Sequence, residues 1–275
     1  MMGGGDRILG DGTRFAVTGS GRPLILVHGV GMDLSMWQPL AVHLARHRQV
    51  IRYDMIGHGA SPKPPGPYRL ADFVAQLQRL ADTLNLSRFD LLGFSMGGLV
   101  AQGFAVTHAA RLDRLILLNT VYRRSQAERD AVFKRVSDVL DGGFPASVDT
   151  AIDRWFTPGF RIRHPETVDA VRRHMLSNDL GAYAAAYRVF AAGDAELADT
   201  AARIKTATLV MTGSDDQRST AAMAAALVAD LPLGQLAILP GQRHLTPIEC
   251  PGELAARILE FIAVPAVAQG EVGHG

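Results

Sequence analysis

The stretch that decides the fold of this chain is Leu91-Leu92-Gly93-Phe94-Ser95-Met96-Gly97-Gly98. An apolar run typical of a buried strand leads into the pattern Gly-x-Ser-x-Gly, and apolar residues with helical spacing follow it. This order predicts a strand, a sharp turn and a helix, with Ser95 at the turn as a candidate nucleophile. Gly93 and Gly97 lack a Cβ, so the chain can pass close to itself on both sides of the turn. Because a chain with 28 glycines can match this pattern by chance, the hypothesis requires partner residues elsewhere.

The composition limits the classes of protein to which the chain can belong. A hydrophobic content of 48% and a charged content of 20% are those of an ordinary globular protein, and 275 residues are enough for a large core. The formal net charge of +1 predicts no binding to nucleic acid or to an anionic membrane. No apolar run is long enough for a membrane helix, and the N-terminus does not resemble a signal peptide. Cys250 is the single cysteine, so we expect no disulfide, no metal cluster and a cytoplasmic location.

Strand-like and helical segments alternate along most of the chain. Helices are predicted to lie between apolar runs typical of strands, which occur at residues 24–27, 49–53, 89–92, 112–118, 207–211 and 235–239. This alternation predicts an α/β fold with a mostly parallel sheet that is covered by helices on both faces. Sheets of this kind place reactive groups at the carboxyl ends of their strands.

The alternation is interrupted between residues 121 and 205. This arginine-rich segment has no strand-like run, and helices are predicted at residues 126–140, 148–155, 165–177 and 181–191. We therefore predict a helical lid, residues 121–205, inserted between two sheet strands of a core formed by residues 1–120 and 206–275. A lid that leaves the sheet at its carboxyl edge would cover the active site.

A serine nucleophile needs a general base, and the predicted sheet indicates where to find one. His244 follows the last predicted strand, in a loop before the final helix. A carboxylate must orient that base, and the strand over residues 207–211 is followed by Asp215 and Asp216. Either aspartate gives the chain order Ser…Asp…His. We assign Asp216 as the acid with Asp215 as the alternative, and we set Asn119 aside because its amide does not ionise.

The oxyanion that forms when Ser95 attacks a carbonyl needs two backbone N–H donors. Met96, directly after the nucleophile, is the first candidate. Val30 is the second, because it lies between two glycines in the loop after the strand over residues 24–27. We interpret His28, in the same loop, as a packing residue.

These motifs resemble those of the α/β-hydrolase family over essentially the whole chain, from His28-Gly29 through the serine turn to His244. Within that family the chain is most similar to the 3-oxoadipate enol-lactonase group. The resemblance implies a cofactor-free serine hydrolase, with no metal, that opens a small carboxylate-bearing lactone or ester through an acyl-serine intermediate. The segments that carry the second resemblance are Asp33-Leu34-Ser35-Met36-Trp37, Arg52-Tyr53-Asp54, Gly66-Pro67-Tyr68, Ser95-Met96-Gly97-Gly98-Leu99, Leu118-Asn119-Thr120 and Arg154-Trp155-Phe156-Thr157.

An anionic small-molecule substrate would require a guanidinium group in the pocket. The candidates are Arg124, Arg154 and Arg188 of the lid, and Trp155 is a candidate pocket wall. The same catalytic residues would also serve a C–C bond hydrolase or an amide hydrolase of aromatic or heterocycle catabolism, because the fold does not determine the bond that is cleaved. A non-catalytic ligand receptor is a third alternative, and the complete catalytic set argues against it. The sequence leaves a homodimer open.

Overall fold

A computed structural model of the chain describes residues 5–263. One sheet contains the strands β1 (Arg7–Ile8), β2 (Arg14–Thr18), β3 (Pro23–Val27), β4 (Gln49–Tyr53), β5 (Phe89–Phe94), β6 (Leu112–Leu118), β7 (Thr208–Gly213) and β8 (Gly234–Leu239). Their order in the sheet is β1-β2-β4-β3-β5-β6-β7-β8. The pairs β1–β2 and β2–β4 are antiparallel, and all other neighbouring strands are parallel.

Helices cover the sheet and fill the long connection between β6 and β7. The core helices are α1 (Gln38–Leu44), α2 (Leu70–Thr83), α3 (Met96–Thr107), α9 (Ala221–Asp230), α10 (Thr246–Glu249) and α11 (Pro251–Ala263). Residues 121–205, which we call the cap, contain α4 (Gln126–Asp138), α5 (Phe144–Trp155), α6 (Pro158–Arg163), α7 (Pro165–Leu176) and α8 (Leu180–Glu196).

The central strands are buried on both faces, which explains why their sequences are continuously apolar. Every residue of β5 and of β7 is buried. The edge strand β8 is less covered, and Leu236 is 43% exposed to solvent. The predicted mostly parallel sheet, with helices on both faces and a helical insertion between two strands, is confirmed.

The register of the parallel strands brings their carboxyl ends together. Val27 at the end of β3 pairs with Gly93 of β5, which pairs in turn with Leu117 of β6. Gly213 at the end of β7 pairs with Leu239 of β8. The loops that follow these strands therefore lie side by side at one edge of the sheet. These loops carry the residues that the sequence predicts for the active site.

The cap contacts the loops at this edge. Asn178, just after α7, donates a hydrogen bond from Nδ2 to the carbonyl oxygen of Gly31, in the loop after β3, at 2.9 Å. Arg243, in the loop after β8, donates from Nη1 to the carbonyl oxygen of Asp153, in α5, at 2.7 Å. The cap therefore lies over the predicted site.

One sequence prediction extends beyond the described range. The predicted core includes residues 1–4 and 264–275, which lie outside the described residues. None of the helices within residues 5–263 is long and apolar enough to span a membrane.

Candidate active site

Ser95 lies at the turn between β5 and α3. Its backbone has φ 53° and ψ −115°, a conformation that a non-glycine residue keeps only under strong local constraint. A Cβ on Gly93 would collide with the carbonyl group of Gly97, and a Cβ on Gly97 would collide with that of Val27. The two glycines therefore let the turn close, as the sequence predicts. Ser95 N donates to the carbonyl oxygen of Leu118 at 2.9 Å, which ties the turn to β6.

The loops after β7 and β8 bring His244 against Asp216. His244 Nδ1 lies 2.6 Å from Asp216 Oδ2, and both side chains are buried. Burial alone would raise the pKa of Asp216, but the adjacent His244 and the hydrogen bonds to the carboxylate lower this pKa below its ordinary value. The other oxygen, Oδ1, accepts the backbone N–H groups of Arg218 and Ser219 at 3.0 Å each. The carboxylate therefore stays ionised at neutral pH and holds the imidazole through Nδ1.

Asp215, the alternative acid, is exposed and points to another partner. Its Oδ1 accepts a hydrogen bond from Ser214 Oγ at 2.7 Å. Of the two adjacent aspartates, the one in contact with His244 is therefore Asp216.

Trp155 of the cap contacts His244 in two ways. Its carbonyl oxygen accepts the backbone N–H groups of His244 at 3.1 Å and of Leu245 at 3.2 Å. Its indole stacks on the imidazole with ring centroids 6.0 Å apart and 28° between the ring planes. Phe94 of β5 also contacts the imidazole, at a centroid distance of 4.9 Å. The position of His244 therefore depends on the cap as well as on the core.

One cavity beneath the cap is lined by Ser95, His244, Asp216, Val30 and Trp155, among others. Within residues 5–263 no hydrogen bond joins the Ser95 hydroxyl to His244. In enzymes without bound substrate, such a bond is often long and shortens only in the complex. The structure thus brings the predicted serine, histidine and aspartate to one site, with the contact between the last two already formed. No three His, Cys, Asp or Glu side chains of the described chain are placed to hold a metal ion.

The two predicted oxyanion donors lie on either side of Ser95. Met96 begins α3, and helix geometry leaves the first N–H groups of a helix without an intrahelical partner. Val30 lines the cavity. Gly29, directly before Val30, lies close to the serine, since a Cβ added to Gly29 would be 3.2 Å from Ser95 Cβ. Both backbone segments therefore reach the nucleophile, and their N–H groups remain the predicted donors.

His28 is fully buried beneath the loop that carries Val30. Its Nε2 accepts the backbone N–H of Met55 at 2.9 Å, and its Nδ1 lies 2.8 Å from the carbonyl oxygen of Gly29. Burial lowers the pKa of His28 to about 4, so the ring is neutral at neutral pH. Both ring nitrogens are engaged in holding two core loops together.

The three predicted lid arginines have different positions. Arg154 and Arg124 line the cavity, whereas Arg188 does not. The structure corrects the prediction for Arg188, because its side of α8 faces solvent and leaves the side chain exposed. The guanidinium of Arg124 is paired with Asp194, with Nη2 2.6 Å from Oδ1, and it lies over the ring of Phe190 at 4.7 Å. The charge of Arg124 is therefore largely balanced within the cap.

Arg154 has a guanidinium nitrogen without a partner. Its Nε is buried and forms no hydrogen bond in the described chain. Burial, followed by the nearby charge of Arg218 and that of Arg135, lowers the pKa of Arg154. These two arginines also line the cavity, and within residues 5–263 neither forms a salt bridge. Sequence analysis missed both as pocket residues, because Arg218 lies outside the predicted lid and Arg135 is one arginine among many. The guanidinium groups of Arg154, Arg135 and Arg218 therefore give the cavity lining three positive charges, beside the carboxylates of Glu128 and Asp216.

The sheet order, the serine turn and the covering helices define an α/β hydrolase. A family model described as alpha/beta hydrolase fold matches residues 22–251. The chain belongs to this family, and the names of its relatives support hydrolase activity.

Three known proteins of this family are similar to the chain in sequence or in structure. The chain is 35% identical over 233 residues, 85% of this chain and 87% of the relative, to an (E)-2-((N-methylformamido)methylene)succinate hydrolase of Acinetobacter baylyi. It is 32% identical over 228 residues, 83% of this chain and 84% of the relative, to 3-oxoadipate enol-lactonase 2 of the same organism. Among solved structures, the enol-lactonase from Burkholderia xenovorans LB400 superposes with a TM-score of 0.86 at 28% identity, over 94% of this chain and 98% of that chain. The predicted resemblance to α/β hydrolases, and among them to enol-lactonases, is confirmed.

Proposed function

We propose that this α/β hydrolase is a serine hydrolase that cleaves a small carboxylate-bearing lactone or ester through an acyl-Ser95 intermediate. The observation that supports this proposal most strongly is the 2.6 Å contact between His244 Nδ1 and Asp216 Oδ2. It leaves the other nitrogen of the imidazole, Nε2, for the nucleophile, and Ser95 lines the same cavity.

In the proposed reaction His244 removes the proton of the Ser95 hydroxyl as the oxygen attacks the carbonyl carbon of the substrate. Asp216, ionised and buried, stabilises the imidazolium that forms and keeps its Nδ1–H directed away from the nucleophile. His244 then gives the proton to the leaving oxygen, which in a lactone stays attached to the acyl chain. In the second half of the reaction His244 activates a water molecule that hydrolyses the acyl-serine.

The negative charge that develops on the carbonyl oxygen would be held by the backbone N–H groups of Met96 and Val30. Removal of a single donor of this kind in serine hydrolases typically lowers kcat by about 10²- to 10³-fold. The position of Ser95 supports this assignment, since Ser95 lines the cavity and the helix that begins at Met96 follows it directly.

The substrate's carboxylate would bind to Arg154, with Arg135 and Arg218 contributing to the positive potential of the cavity. A partly buried guanidinium without a carboxylate partner is unfavourable unless a ligand supplies the negative charge. Trp155 would form an apolar wall beside the reacting group, because it lines the cavity and stacks on His244.

An amide hydrolase is the second candidate, and one observation favours it. The relative named for (E)-2-((N-methylformamido)methylene)succinate acts on a compound whose name contains both an amide and a succinate. Amide hydrolysis would use the same three residues, with His244 protonating a nitrogen leaving group. A C–C bond hydrolase and a non-catalytic receptor remain alternatives, because the fold does not determine the reaction.

The proposal is tested by a substrate panel with wild-type protein and the Ser95→Ala variant. The panel contains 3-oxoadipate enol-lactone, the same lactone with its carboxylate methylated, a simple aryl acetate, and an amide that bears two carboxylates. We expect saturable opening of the free-acid lactone, a KM about 10- to 100-fold higher for its methyl ester, and no turnover by Ser95→Ala.

The other outcomes separate the candidates. Turnover of the dicarboxylate amide without lactone opening would favour the amide hydrolase and keep the role of Ser95. Equal KM values for the free acid and the methyl ester would contradict the carboxylate contact. Binding of the lactone without turnover of any member of the panel would indicate a receptor.

A further inference from the structure

Asn119 occupies an unusual position at the carboxyl end of β6. Its backbone has φ 46°, in the left-handed region, and its side chain is completely buried. Asparagine tolerates this region better than most residues, but a buried amide there must find partners for its donors and its acceptor. The surroundings of Asn119 supply all of them.

The amide of Asn119 joins three segments of the site. Its Nδ2 donates to Asp216 Oδ2 at 2.8 Å and, more weakly, to Thr212 Oγ1 at 3.2 Å and to the carbonyl oxygen of Arg243 at 3.3 Å. Its Oδ1 accepts a hydrogen bond from Thr246 Oγ1 at 2.9 Å. The Asn119 side chain, directly after β6, therefore links the end of β7, the loop after β7 that carries Asp216 (the aspartate loop) and the loop after β8 that carries His244 (the histidine loop).

We propose that Asn119 is a positioning residue that holds Asp216 Oδ2 against His244 Nδ1. The inference rests on the proposed catalytic roles of Ser95, His244 and Asp216. Among the described residues, the Asn119 side chain forms no hydrogen bond with Ser95 and does not line the cavity, so we infer that it acts through the carboxylate.

The arrangement of donors around Asp216 supports this role. Its Oδ1 is held by two backbone N–H groups, those of Arg218 and Ser219, and its Oδ2 is shared between Asn119 and His244. Without the Asn119 donor, the imidazole would be the only group holding Oδ2. An amide suits this position because it cannot ionise. It therefore holds the Asp216 carboxylate without competing for the proton on His244 Nδ1.

The sharing of Oδ2 also affects the chemistry of the pair. Each donor to a carboxylate oxygen reduces the basicity of that oxygen. Removal of Asn119 would make Oδ2 a stronger acceptor for the Nδ1–H of the imidazole, so the pH profile of Ser95 reactivity should change. The other charged groups that line the same cavity as the pair are Arg124, Arg135, Arg154, Arg218 and Glu128.

The test measures the rate at which a fluorophosphonate labels Ser95 across about pH 5 to 9, which requires no knowledge of the natural substrate. Asn119→Gly removes the amide and tolerates the positive φ, and Asn119→Asp keeps the shape but replaces the donor. Asn85→Gly is the matched control, because Asn85 also has a positive φ, 54°, and is exposed at the end of α2. Circular dichroism verifies that each variant is folded.

We expect Asn119→Gly to be labelled about 10- to 100-fold more slowly, with a pH profile that differs from that of the wild-type protein. In Asn119→Asp, a protonated carboxyl at residue 119 can still donate to Asp216, and its deprotonation places two carboxylates together. This variant should therefore be closest to wild type at low pH and lose activity as pH rises. Asn85→Gly should behave as wild type.

Three results would overturn the inference. The first is a wild-type rate and pH profile for Asn119→Gly, and the second is a pH-independent loss in Asn119→Asp, which would indicate a purely structural role. The third is absence of labelling at Ser95 in the wild-type protein, which would overturn the proposed function as well. The first two leave wild-type labelling of Ser95 intact, so the two failures are distinguishable.

Discussion

The indole of Trp155 stacks on the imidazole of His244, and its carbonyl oxygen accepts the His244 backbone N–H at 3.1 Å. Trp155 ends α5 in the cap, whereas His244 follows β8 in the core. The residue proposed as general base is thus supported by the same segment that would form the wall of the substrate pocket.

Adjacent aspartates should differ sharply in their effect on catalysis. Asp216→Asn removes the acceptor of the His244 Nδ1 proton and should lower kcat by about 10³- to 10⁴-fold. Asp215→Asn changes an exposed residue that contacts Ser214 and should leave kcat within about twofold. Steady-state kinetics of both variants on the best substrate of the panel measure the difference. Comparable losses in the two variants would contradict the assignment of Asp216.

Two cap arginines provide a matched pair for substrate binding. Arg154→Gln should raise KM for a carboxylate-bearing substrate by about 10- to 100-fold, because a charge-assisted contact is lost. The same change should have little effect on a neutral aryl acetate. Arg188→Gln, on the exposed side of α8, should change neither value. An equal effect of Arg154→Gln on the neutral and the charged substrate would indicate damage to the cavity rather than a lost ion pair.

Asp90 of β5 should make the stability of the protein fall with rising pH. Its carboxylate is buried without a hydrogen-bond partner in the described chain, and burial raises its pKa to about 6, although Arg22 and Arg48 oppose this effect. A carboxyl with a raised pKa in the folded state binds more protons there than when unfolded. The free energy of unfolding therefore decreases as pH rises from about 4 to 6. The Asp90→Asn substitution should remove that decrease and stabilise the protein at pH 7 by about 1–3 kcal/mol.

The control for Asp90→Asn is Asp113→Asn, which should have the opposite sign. Burial would raise the pKa of Asp113, but its hydrogen bonds with Arg22 and Arg88 lower it. Asp113 therefore contributes stability at neutral pH that is lost as pH falls through its folded-state pKa. Urea unfolding at several pH values measures both variants. A stability difference between Asp90→Asn and wild type that does not grow with pH would contradict the account of Asp90.

The fold followed from local sequence signals, and the proposed catalytic residues rest on signals of the same kind. Continuous apolar runs located the buried strands. The glycines around Ser95 marked a tight turn, which a Cβ on Gly93 or Gly97 would prevent. Chain order then located His244 and Asp216 at strand ends. Each of these signals is confined to a few neighbouring residues, which explains why the sequence alone can predict the fold and propose the site residues.

The remaining features depend on contacts between distant segments. The short helices α6 and α10 were missed, because each lies next to a longer helix and is too short for a clear apolar period. Arg188 was grouped with Arg154 because both are lid arginines, and only the orientation of α8 distinguishes an exposed side chain from a pocket residue. Asn119 was set aside because its amide does not ionise. The positioning role that we propose for it depends on the hydrogen bond to Asp216, which joins the ends of two different strands.

The measurement that tests the central claim most directly is mass spectrometry of the protein quenched in acid during turnover of an aryl acetate. We expect one acetyl group on the peptide that contains Ser95 in the wild-type protein, and none in a folded Ser95→Ala variant. An acetyl group on another residue during productive turnover, or undiminished turnover by Ser95→Ala, would contradict the role of Ser95 as nucleophile.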